Sequence, residues 1–294
     1  ATGLPIGVIG EQADLRYEYQ YLGAGPDTLK DLVSGENKFA AALKKAKRPL
    51  IIVGQGALSR GDGAAVLGQA AKLADAVGAV QGDWNGFSVL HTAAGRVGGL
   101  DTGFVPTNPS INAENIAEGS DVLFLLGADE LDMSAIPAST FVVYIGTHGD
   151  AGAQRADVIL PAATYTEKSA TYVNTEGRVQ MTARAAFPPG EAREDWSIFR
   201  ALSAVVGKPL PYDSLQQLRA AMYQTHPHLM RIDEIQAPDD GFLAPIAKLG
   251  GRLTKKAFVS PVEDFYLTNP ICRASATLAE CSKLALGQAN VAAE

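Results

Sequence analysis

Two glycines after the first strongly apolar run are the first residues in this chain that could do chemistry. Gly54 and Gly56 directly follow the segment Pro49 to Val53. Glycines at such a turn let a pyrophosphate approach the backbone closely. However, the third position of the dinucleotide fingerprint is Ser59, and residues 60–63 delay the helix that would receive the phosphate. The turn therefore indicates a nucleotide-binding geometry without identifying a nicotinamide cofactor.

Three further residues occupy comparable places after later apolar runs. Gly127 and Asp129 follow residues 121–126, and Gly146 follows residues 141–145. In doubly wound α/β folds, the ligand crevice lies at the carboxyl ends of the parallel strands. The glycines after these strands therefore lie where such a crevice would be.

Metal-ligating side chains are sparse in this sequence. The two cysteines, Cys272 and Cys281, are fewer than the four that an ordinary iron–sulfur cluster requires. His226 and His228 alternate around a proline and could share a metal, but zinc normally takes three or four protein ligands. No Cys or third His lies near them in the sequence. We therefore predict no metal site in this chain.

Catalytic residues are not predicted either. His148 follows a predicted strand, and His91 falls in a predicted helix from 86 to 96, but neither has a Ser or Cys nucleophile in a recognisable arrangement. A charged cluster surrounds two extended segments, and we interpret it as ion pairs that hold a loop in register. Its members are Glu167, Lys168, Glu176 and Arg178.

Composition excludes two classes of partner. The 294 residues carry a net charge of −7, and no basic run is longer than a pair. Nucleic-acid binding needs clustered cations, so we expect no nucleic-acid partner. Apolar runs such as residues 122–126 have five residues, whereas a membrane-spanning helix needs about 20. Residues 1–10 lack the features of a secretory signal, and there is no initiator Met.

The predicted secondary structure around these residues follows an α/β pattern. Continuously apolar segments alternate with Ala-rich stretches, which predicts a parallel sheet with helices on both faces. We predict a Rossmann-like doubly wound sheet over about 40–165. Predicted strands lie at 49–53, 79–80, 121–126, 141–145 and 156–160, extended segments at 171–174 and 178–182, and helices at 63–77, 86–96, 194–206, 215–223 and 275–286.

Three segments are predicted along the chain. Residues 1–48 lead in from a preceding domain, and residues 49–207 form the Rossmann-like domain. Residues 208–294 form an irregular, Pro-interrupted arm that we expect to pack on another surface.

One stretch carries a family resemblance. Residues 156–161 end in Leu-Pro, and residues 166–178 read Thr-Glu-Lys-Ser-Ala-Thr-Tyr-Val-Asn-Thr-Glu-Gly-Arg. This pattern resembles the molybdopterin oxidoreductase family, and its form is similar to the large iron–sulfur subunits of respiratory complex I, NADH–quinone oxidoreductase. The resemblance extends over about 49–286 and includes residues 125–129, 148–150, 192–196, 210–213 and 264–266 with Ser275.

The resemblance implies a non-catalytic structural domain in the peripheral arm of that enzyme. The iron–sulfur clusters, of the 4Fe-4S and 2Fe-2S types, would lie in an N-terminal part of the subunit that this sequence does not contain. The resemblance places five candidate cofactor-binding positions where a relative would hold its pterin nucleotides, namely Gly54, Gly56, Gly127, Asp129 and Gly146. No cofactor is expected in this segment, and these positions would be inherited backbone geometry. Expected partners are other peripheral-arm subunits, without direct membrane insertion. The expected location is the cytoplasmic side of the bacterial inner membrane, or alternatively the matrix side of the mitochondrial one.

Three alternatives remain open at this point. The chain could be the C-terminal part of an active molybdenum-dependent oxidoreductase such as a formate dehydrogenase. It could be the central domain of a thiamine-diphosphate enzyme, whose first strand resembles residues 49–57. It could also be a free-standing nucleotide-binding module.

Overall fold

Short strands and helices alternate along residues 3–108, 110–113, 115–239 and 241–292, which a computed structural model describes. The strands are β1 (Gly7–Ile9), β2 (Gln20–Gly23), β3 (Ile51–Gly54), β4 (Val80–Gln81), β5 (Trp84–Asn85), β6 (Phe87–Leu90), β7 (Val122–Leu126), β8 (Phe141–Gly146), β9 (Val158–Pro161), β10 (Thr171–Val173) and β11 (Val179–Met181). The helices are α1 (Pro26–Ser34), α2 (Ala40–Lys45), α3 (Gly63–Ala76), α4 (Arg96–Asp101), α5 (Ala151–Arg155), α6 (Asp195–Val205), α7 (Leu215–Thr225), α8 (Leu243–Ala247), α9 (Pro270–Arg273) and α10 (Ala276–Ala292).

These elements belong to two compact units. Unit 1 comprises Ala1–Val97, Val173–Arg178 and Glu234–Glu263, and unit 2 comprises Gly98–Tyr172, Val179–Asp233 and Asp264–Glu294. The segment boundaries predicted after residues 48 and 207 remain a prediction. Parts of the predicted lead-in and arm, at residues 1–2, 240 and 293–294, lie outside the described residues.

Unit 1 is built around α3. This helix is rich in Ala and Leu, which have high helix propensity, and it buries Val66, Ala70 and Leu73 together with Phe87 of β6. The parallel pairs β1–β2 and β3–β6 accompany it. Because small side chains leave little bulk on its buried face, α3 comes close to its neighbours. A Cβ added at Gly68 would clash with the carbonyl oxygen of Leu249.

Unit 2 contains a three-stranded parallel sheet in the order β7-β8-β9. One face packs Leu125 and Tyr144 against Ala153 of α5, and the other packs Ile145 against Ile198 and Phe199 of α6. Burial on both faces explains why β8 is continuously apolar, whereas alternate residues of β7 and most residues of β9 are exposed. The predicted mixture of helices and parallel strands is therefore confirmed. The strands β3 and β6 form one sheet, and β7, β8 and β9 form another, so one doubly wound sheet over 40–165 remains a prediction.

The predicted helix over 86–96 is wrong. The segment instead contains β6, which follows directly after β5, and a helix begins only at Arg96. Phe87 is buried and Val89 packs on the same core, which fits the preference of aromatic and β-branched residues for strands. Pairing with β3 also satisfies the backbone groups of β6. His91 therefore follows a strand and does not lie in a helix.

Most other predicted elements are confirmed within a few residues. They are the strands β3, β4, β7, β8, β9, β10 and β11 and the helices α3, α6, α7 and α10. The five-residue helix α8 was not predicted, because it is too short for periodicity and contains Pro245. Among the helices of the described residues, none has the length and apolar character needed to span a bilayer.

Candidate functional site

The glycine turn after β3 contacts the chain itself. Gly54 has open space where a Cβ would project, and its backbone is ordinarily extended. Gly56 differs, because a Cβ there would lie 2.6 Å from Cδ of Pro261. The close approach that Gly56 permits is therefore made by a proline of the same chain. Pro261 belongs to a segment, Thr254–Pro261, that we call the C-terminal strap.

A buried ion pair fixes the strap beside this turn. The Arg60 guanidinium lies 2.9 Å from the Asp62 carboxylate, and the Asp62 side chain is only 2% exposed. The same carboxylate accepts hydrogen bonds from the backbone N–H and the hydroxyl of Thr254, at 2.8 and 2.7 Å. Arg60 also donates to the carbonyl oxygens of Lys256 and Ala257. One arginine and one aspartate therefore hold three of the first four residues of the strap.

Further contacts place the strap across the carboxyl ends of three strands. The N–H of Phe258 donates to the carbonyl oxygen of Ala24, just after β2, at 2.8 Å. The N–H of Ser260 donates to the Glu11 carboxylate, two residues after β1, at 3.1 Å. With Pro261 against the turn after β3, the strap lies at the carboxyl ends of β1, β2 and β3.

The electrostatics of this ion pair favour a charged Asp62. Hydrogen bonding from Arg60 lowers the pKa of the carboxyl group, burial opposes this shift, and the bonds from Thr254 add to the lowering. The folded chain thus holds Asp62 as a carboxylate well below the usual pKa range. Its negative charge is neutralised internally by Arg60.

The end of β6 lies beside the same turn. Gly54 pairs with Leu90, and the Gln55 side chain accepts hydrogen bonds from the N–H and hydroxyl of Thr92 at 3.0 and 3.1 Å. Nδ1 of His91 is buried and has no partner among the described residues. Burial, followed by the charge of Arg96, lowers the pKa of His91. His91 is therefore favoured as the neutral imidazole.

Gly127, Asp129 and Gly146 come together at one edge of the unit 2 sheet. The N–H of Gly127 donates to the carbonyl oxygen of Ile145 at 2.7 Å. A Cβ at Gly146 would clash with the ring of Tyr144. The buried Asp129 carboxylate accepts bonds from the Tyr144 hydroxyl at 2.9 Å and from the N–H of Gly152 at 2.8 Å. Both carboxylate oxygens of Asp129 are thus engaged by groups of the chain itself.

The bond to Asp129 also affects Tyr144. Burial, followed by the hydrogen bond and charge of Asp129, raises the pKa of Tyr144 far above its usual value. The tyrosine is therefore a neutral hydrogen-bond donor that holds Asp129 against β8, and the pair has a structural role.

A cation from α9 covers the same edge. Arg273 forms ion pairs with Asp150 and, at 3.1 Å, with Glu130. Burial opposes the charge of Arg273, but the hydrogen bonds to Asp150 and Glu130 outweigh it and raise its pKa. Arg273 thus neutralises acidic groups beside the candidate position Asp129.

Comparison with known proteins identifies the family of this chain. Residues 1–205 match the family model described as molybdopterin oxidoreductase. The chain belongs to the molybdopterin oxidoreductase family. A second family model, which describes the C-terminal region of the G subunit of NADH-ubiquinone oxidoreductase, matches residues 242–281. That second segment contains both the strap and Arg273, so the residues that cover the two strand edges lie outside the first match.

Three similar curated proteins all have names that refer to NADH dehydrogenase or NADH-ubiquinone oxidoreductase. An iron-sulfur protein 1 of mitochondrial NADH dehydrogenase [ubiquinone] from Solanum tuberosum is 41% identical over 97% of this chain and 38% of its own length. The mitochondrial NADH-ubiquinone oxidoreductase 78 kDa subunit of Neurospora crassa is 43% identical over 96% and 38%. The 75 kDa subunit of Reclinomonas americana is 41% identical over 94% and 40%. The chain therefore spans about two fifths of these relatives, and the predicted resemblance is confirmed.

The charged cluster near the family motif makes structural contacts. Lys168 pairs with Asp195 at 2.5 Å, and Glu167 accepts a bond from the N–H of Thr164 at 3.0 Å. Oδ1 of Asn174 accepts bonds from the N–H groups of Glu176 and Arg178 at 2.9 and 3.0 Å. The Asn-Thr-Glu-Gly-Arg motif thus closes a turn through its asparagine side chain, as expected of a short polar side chain in a turn.

The remaining histidines have local partners. Nε2 of His228 lies 3.1 Å from the Asp101 carboxylate, and its ring meets that of His226 edge to face at 6.3 Å. Nδ1 of His148 lies 2.8 Å from the Thr147 hydroxyl. In the part of the chain that the structure describes, no three His, Cys, Asp or Glu side chains could together hold a metal ion.

The cysteines do not fit an iron–sulfur cluster. Cys272 lies in α9 and Cys281 in α10, and both are free thiols. Two thiols cannot supply the four ligands of a cluster.

The residues that sequence reasoning missed are the strap and its anchors. The insertion of Arg60 and Asp62 after the glycine turn was a visible signal, because it departs from the dinucleotide fingerprint. Nothing in the sequence links Asp62 to Thr254, which is 192 residues away.

Proposed function

We propose that this chain is a non-catalytic structural segment of the large iron–sulfur subunit in the peripheral arm of NADH–quinone oxidoreductase. It supports electron transfer from NADH to quinone through clusters held elsewhere in that subunit. The names of the three relatives and the second family match support the assembly. The observation that carries the non-catalytic role is the occupation of the strand edges by Thr254–Pro261 and Arg273.

The five candidate positions then act as backbone geometry. Gly56 accommodates Pro261, and Gly146 accommodates the Tyr144 ring. Asp129 uses its carboxylate to join β8 to the start of α5, and Gly127 continues the hydrogen bonding of β7 with β8. Gly54 and Gly127 both have open space where a Cβ would project, and Gly54 pairs with Leu90 of β6. All five positions thus have a partner within the chain.

The wider assignment follows from the same proposal. Residues 1–48 lead in from a preceding domain, 49–207 form the family domain with a Rossmann-like sheet, and 208–294 form the arm. The partners are other peripheral-arm subunits. The assembly lies peripherally on the cytoplasmic side of a bacterial inner membrane or on the matrix side of a mitochondrial one, as the mitochondrial relatives suggest.

Metal analysis of the intact assembly tests this function. The purified complex should contain iron but no stoichiometric molybdenum, and oxidised extracts should lack pterin fluorescence. Stoichiometric molybdenum would instead favour a molybdenum-dependent oxidoreductase such as a formate dehydrogenase. The match of residues 1–205 to the molybdopterin oxidoreductase family is the observation that favours this second candidate.

A calorimetric titration tests the crevice directly. NADH and guanine nucleotides, titrated separately into the intact assembly, should give no heat beyond that of the NADH site. If a further stoichiometric site is found, the titration should be repeated with the variant Asp62→Ala. Loss of the strap in this variant alters only the carboxyl ends of the strands in unit 1. Binding that changes in this variant would contradict the structural role.

A further inference from the structure

A cationic loop overlaps the first residues of the strap. Four basic residues fall in the nine positions 248–256, and no Asp or Glu occurs from 241 to 262. The whole chain has a net charge of −7, so this stretch departs strongly from the average. We define the cationic loop by Lys248, Arg252, Lys255 and Lys256, all of which are exposed.

These cations lack acidic partners within the described chain. The ion pairs between described residues engage Arg60 of the same unit, and they also engage Arg155, Lys168 and Arg273 of unit 2. Those pairs do not include any of the four residues of the cationic loop. Their charges therefore face solvent or another molecule.

The loop is held in place by its backbone and by its apolar residues. The Leu249 carbonyl packs against Gly68 of α3, and Leu253 packs on the unit 1 core. Thr254 is bound to the buried carboxylate of Asp62. Fixing a charged loop in this way reduces the ordering cost of binding. A solvated charge run would not require such anchoring.

We propose that the cationic loop docks an acidic surface segment of a neighbouring subunit. The inference rests on the proposed function, because it requires that the chain belong to a multisubunit assembly. Complementary charge speeds association and fixes register more than it adds affinity. The loop therefore aligns unit 1 with its neighbour, and the contact weakens with salt.

Protein is favoured over lipid and nucleic acid by the residues around the cations. Membrane-surface binding typically uses an amphipathic helix, whereas residues 248–256 are not helical. Single-stranded nucleic acid is usually bound with aromatic side chains that stack on bases, and this span contains none. An acidic protein surface requires neither feature.

Amine footprinting on the purified intact complex tests the proposal. Lys248, Lys255 and Lys256 should acetylate about tenfold more slowly than the exposed Lys44 and Lys45 of α2, because an occupied amine is masked by its partner. The difference should shrink at about 1 M salt, where the Debye length is only about 3 Å. Equal labelling rates at low salt would overturn the proposal.

Zero-length carbodiimide coupling identifies the occupant, because it joins amines only to carboxylates in contact. Cross-links from Lys255 or Lys256 to Asp or Glu of one neighbouring subunit support the proposal. Protection that disappears on delipidation, without such cross-links, assigns the loop to anionic lipid and overturns it.

A charge-reversal pair provides the matched variant. Lys255→Glu combined with Lys256→Glu should increase the salt-induced loss of the neighbouring subunit, whereas Lys44→Glu combined with Lys45→Glu should not. Equal salt sensitivity of the two double variants counts against the proposal. If the wild-type chain does not purify with the complex at all, the proposed function itself fails.

Discussion

The two units cover the carboxyl ends of their strands by different means. In unit 1 the strap lies across the ends of three strands and is anchored by the buried Arg60–Asp62 pair. In unit 2 the buried Asp129 is satisfied locally by Tyr144, and a partly exposed Arg273 neutralises the acids beside it. The strand ends of unit 1 are covered by a segment of backbone, and those of unit 2 are covered by the cationic side chain of Arg273.

Charge accounts for part of this difference. Unit 1 carries 15 Lys and Arg against 14 Asp and Glu, whereas unit 2 carries 10 against 18. An acid-rich edge with Asp129, Glu130 and Asp150 requires a cation, while a nearly neutral unit can use a single internal pair. The comparison predicts that the unit 1 anchor contributes more to stability, because breaking a buried pair leaves an uncompensated charge.

The largest effect is expected for Asp62→Ala. Removing one partner of a buried ion pair typically costs about 3–5 kcal/mol, and Arg60 and Thr254 would both lose an acceptor. Urea unfolding of the 294-residue chain should show this loss, and amide exchange should increase in residues 254–261. Asp83→Ala, which removes an exposed pair with Arg48, is the control. Similar effects of the two variants would refute the anchoring role.

Asp129→Ala should have the next largest effect, with a loss of about 2–3 kcal/mol, because the Tyr144 hydroxyl and the Gly152 N–H would be left buried without an acceptor. Asp132, an exposed acid three residues later, provides the control variant Asp132→Ala. A ligand-binding aspartate would give the opposite result, with unchanged or increased stability.

Gly56→Ala tests the position of the strap. The added methyl group would meet Pro261 at 2.6 Å, and overpacking of this kind costs about 1–3 kcal/mol. Gly54→Ala has open space and an extended backbone, so its unfolding midpoint should stay close to that of the wild type. If the two substitutions are equally tolerated, the strap does not rest on Gly56.

Alkaline pH should weaken unit 2 through Tyr144. An unfolded tyrosine ionises at about pH 10, whereas the raised pKa keeps Tyr144 protonated in the folded chain. Above about pH 10 the unfolded state binds fewer protons than the folded state, so the unfolding free energy falls by up to about 1.4 kcal/mol per pH unit. Tyr144→Phe should remove this slope. The difference between the two unfolding curves over about pH 9–12 measures it.

The smallest effect is expected for Arg273→Ala. Its pairs are partly exposed, with side-chain exposures of 28% for Arg273 and 58% for Glu130, and such pairs contribute about 1 kcal/mol or less. Thermal unfolding at low and high salt measures the loss, with Arg193→Ala as a surface-pair control. A loss as large as that of Asp62→Ala would reverse the comparison between the units.

The local elements were largely predictable because local signals specify them. Continuous apolar runs identified β7, β8 and β9, and Ala-rich periodicity identified α3. The segment 86–96 was misread, since a short apolar run can pair as a strand or continue as a helix and only the neighbouring β3 decides.

The family could be identified from residues 156–178 alone, and the count of cysteines alone showed that they are too few for a cluster. The five candidate positions after their strands could also be located from the sequence. Their contacts could be seen only in the folded chain, because Thr254 and Asp62 are 192 residues apart and Arg273 is 123 residues from Asp150. Side-chain pairing over such separations depends on how the chain folds back, and periodicity and propensity describe only neighbours along the chain.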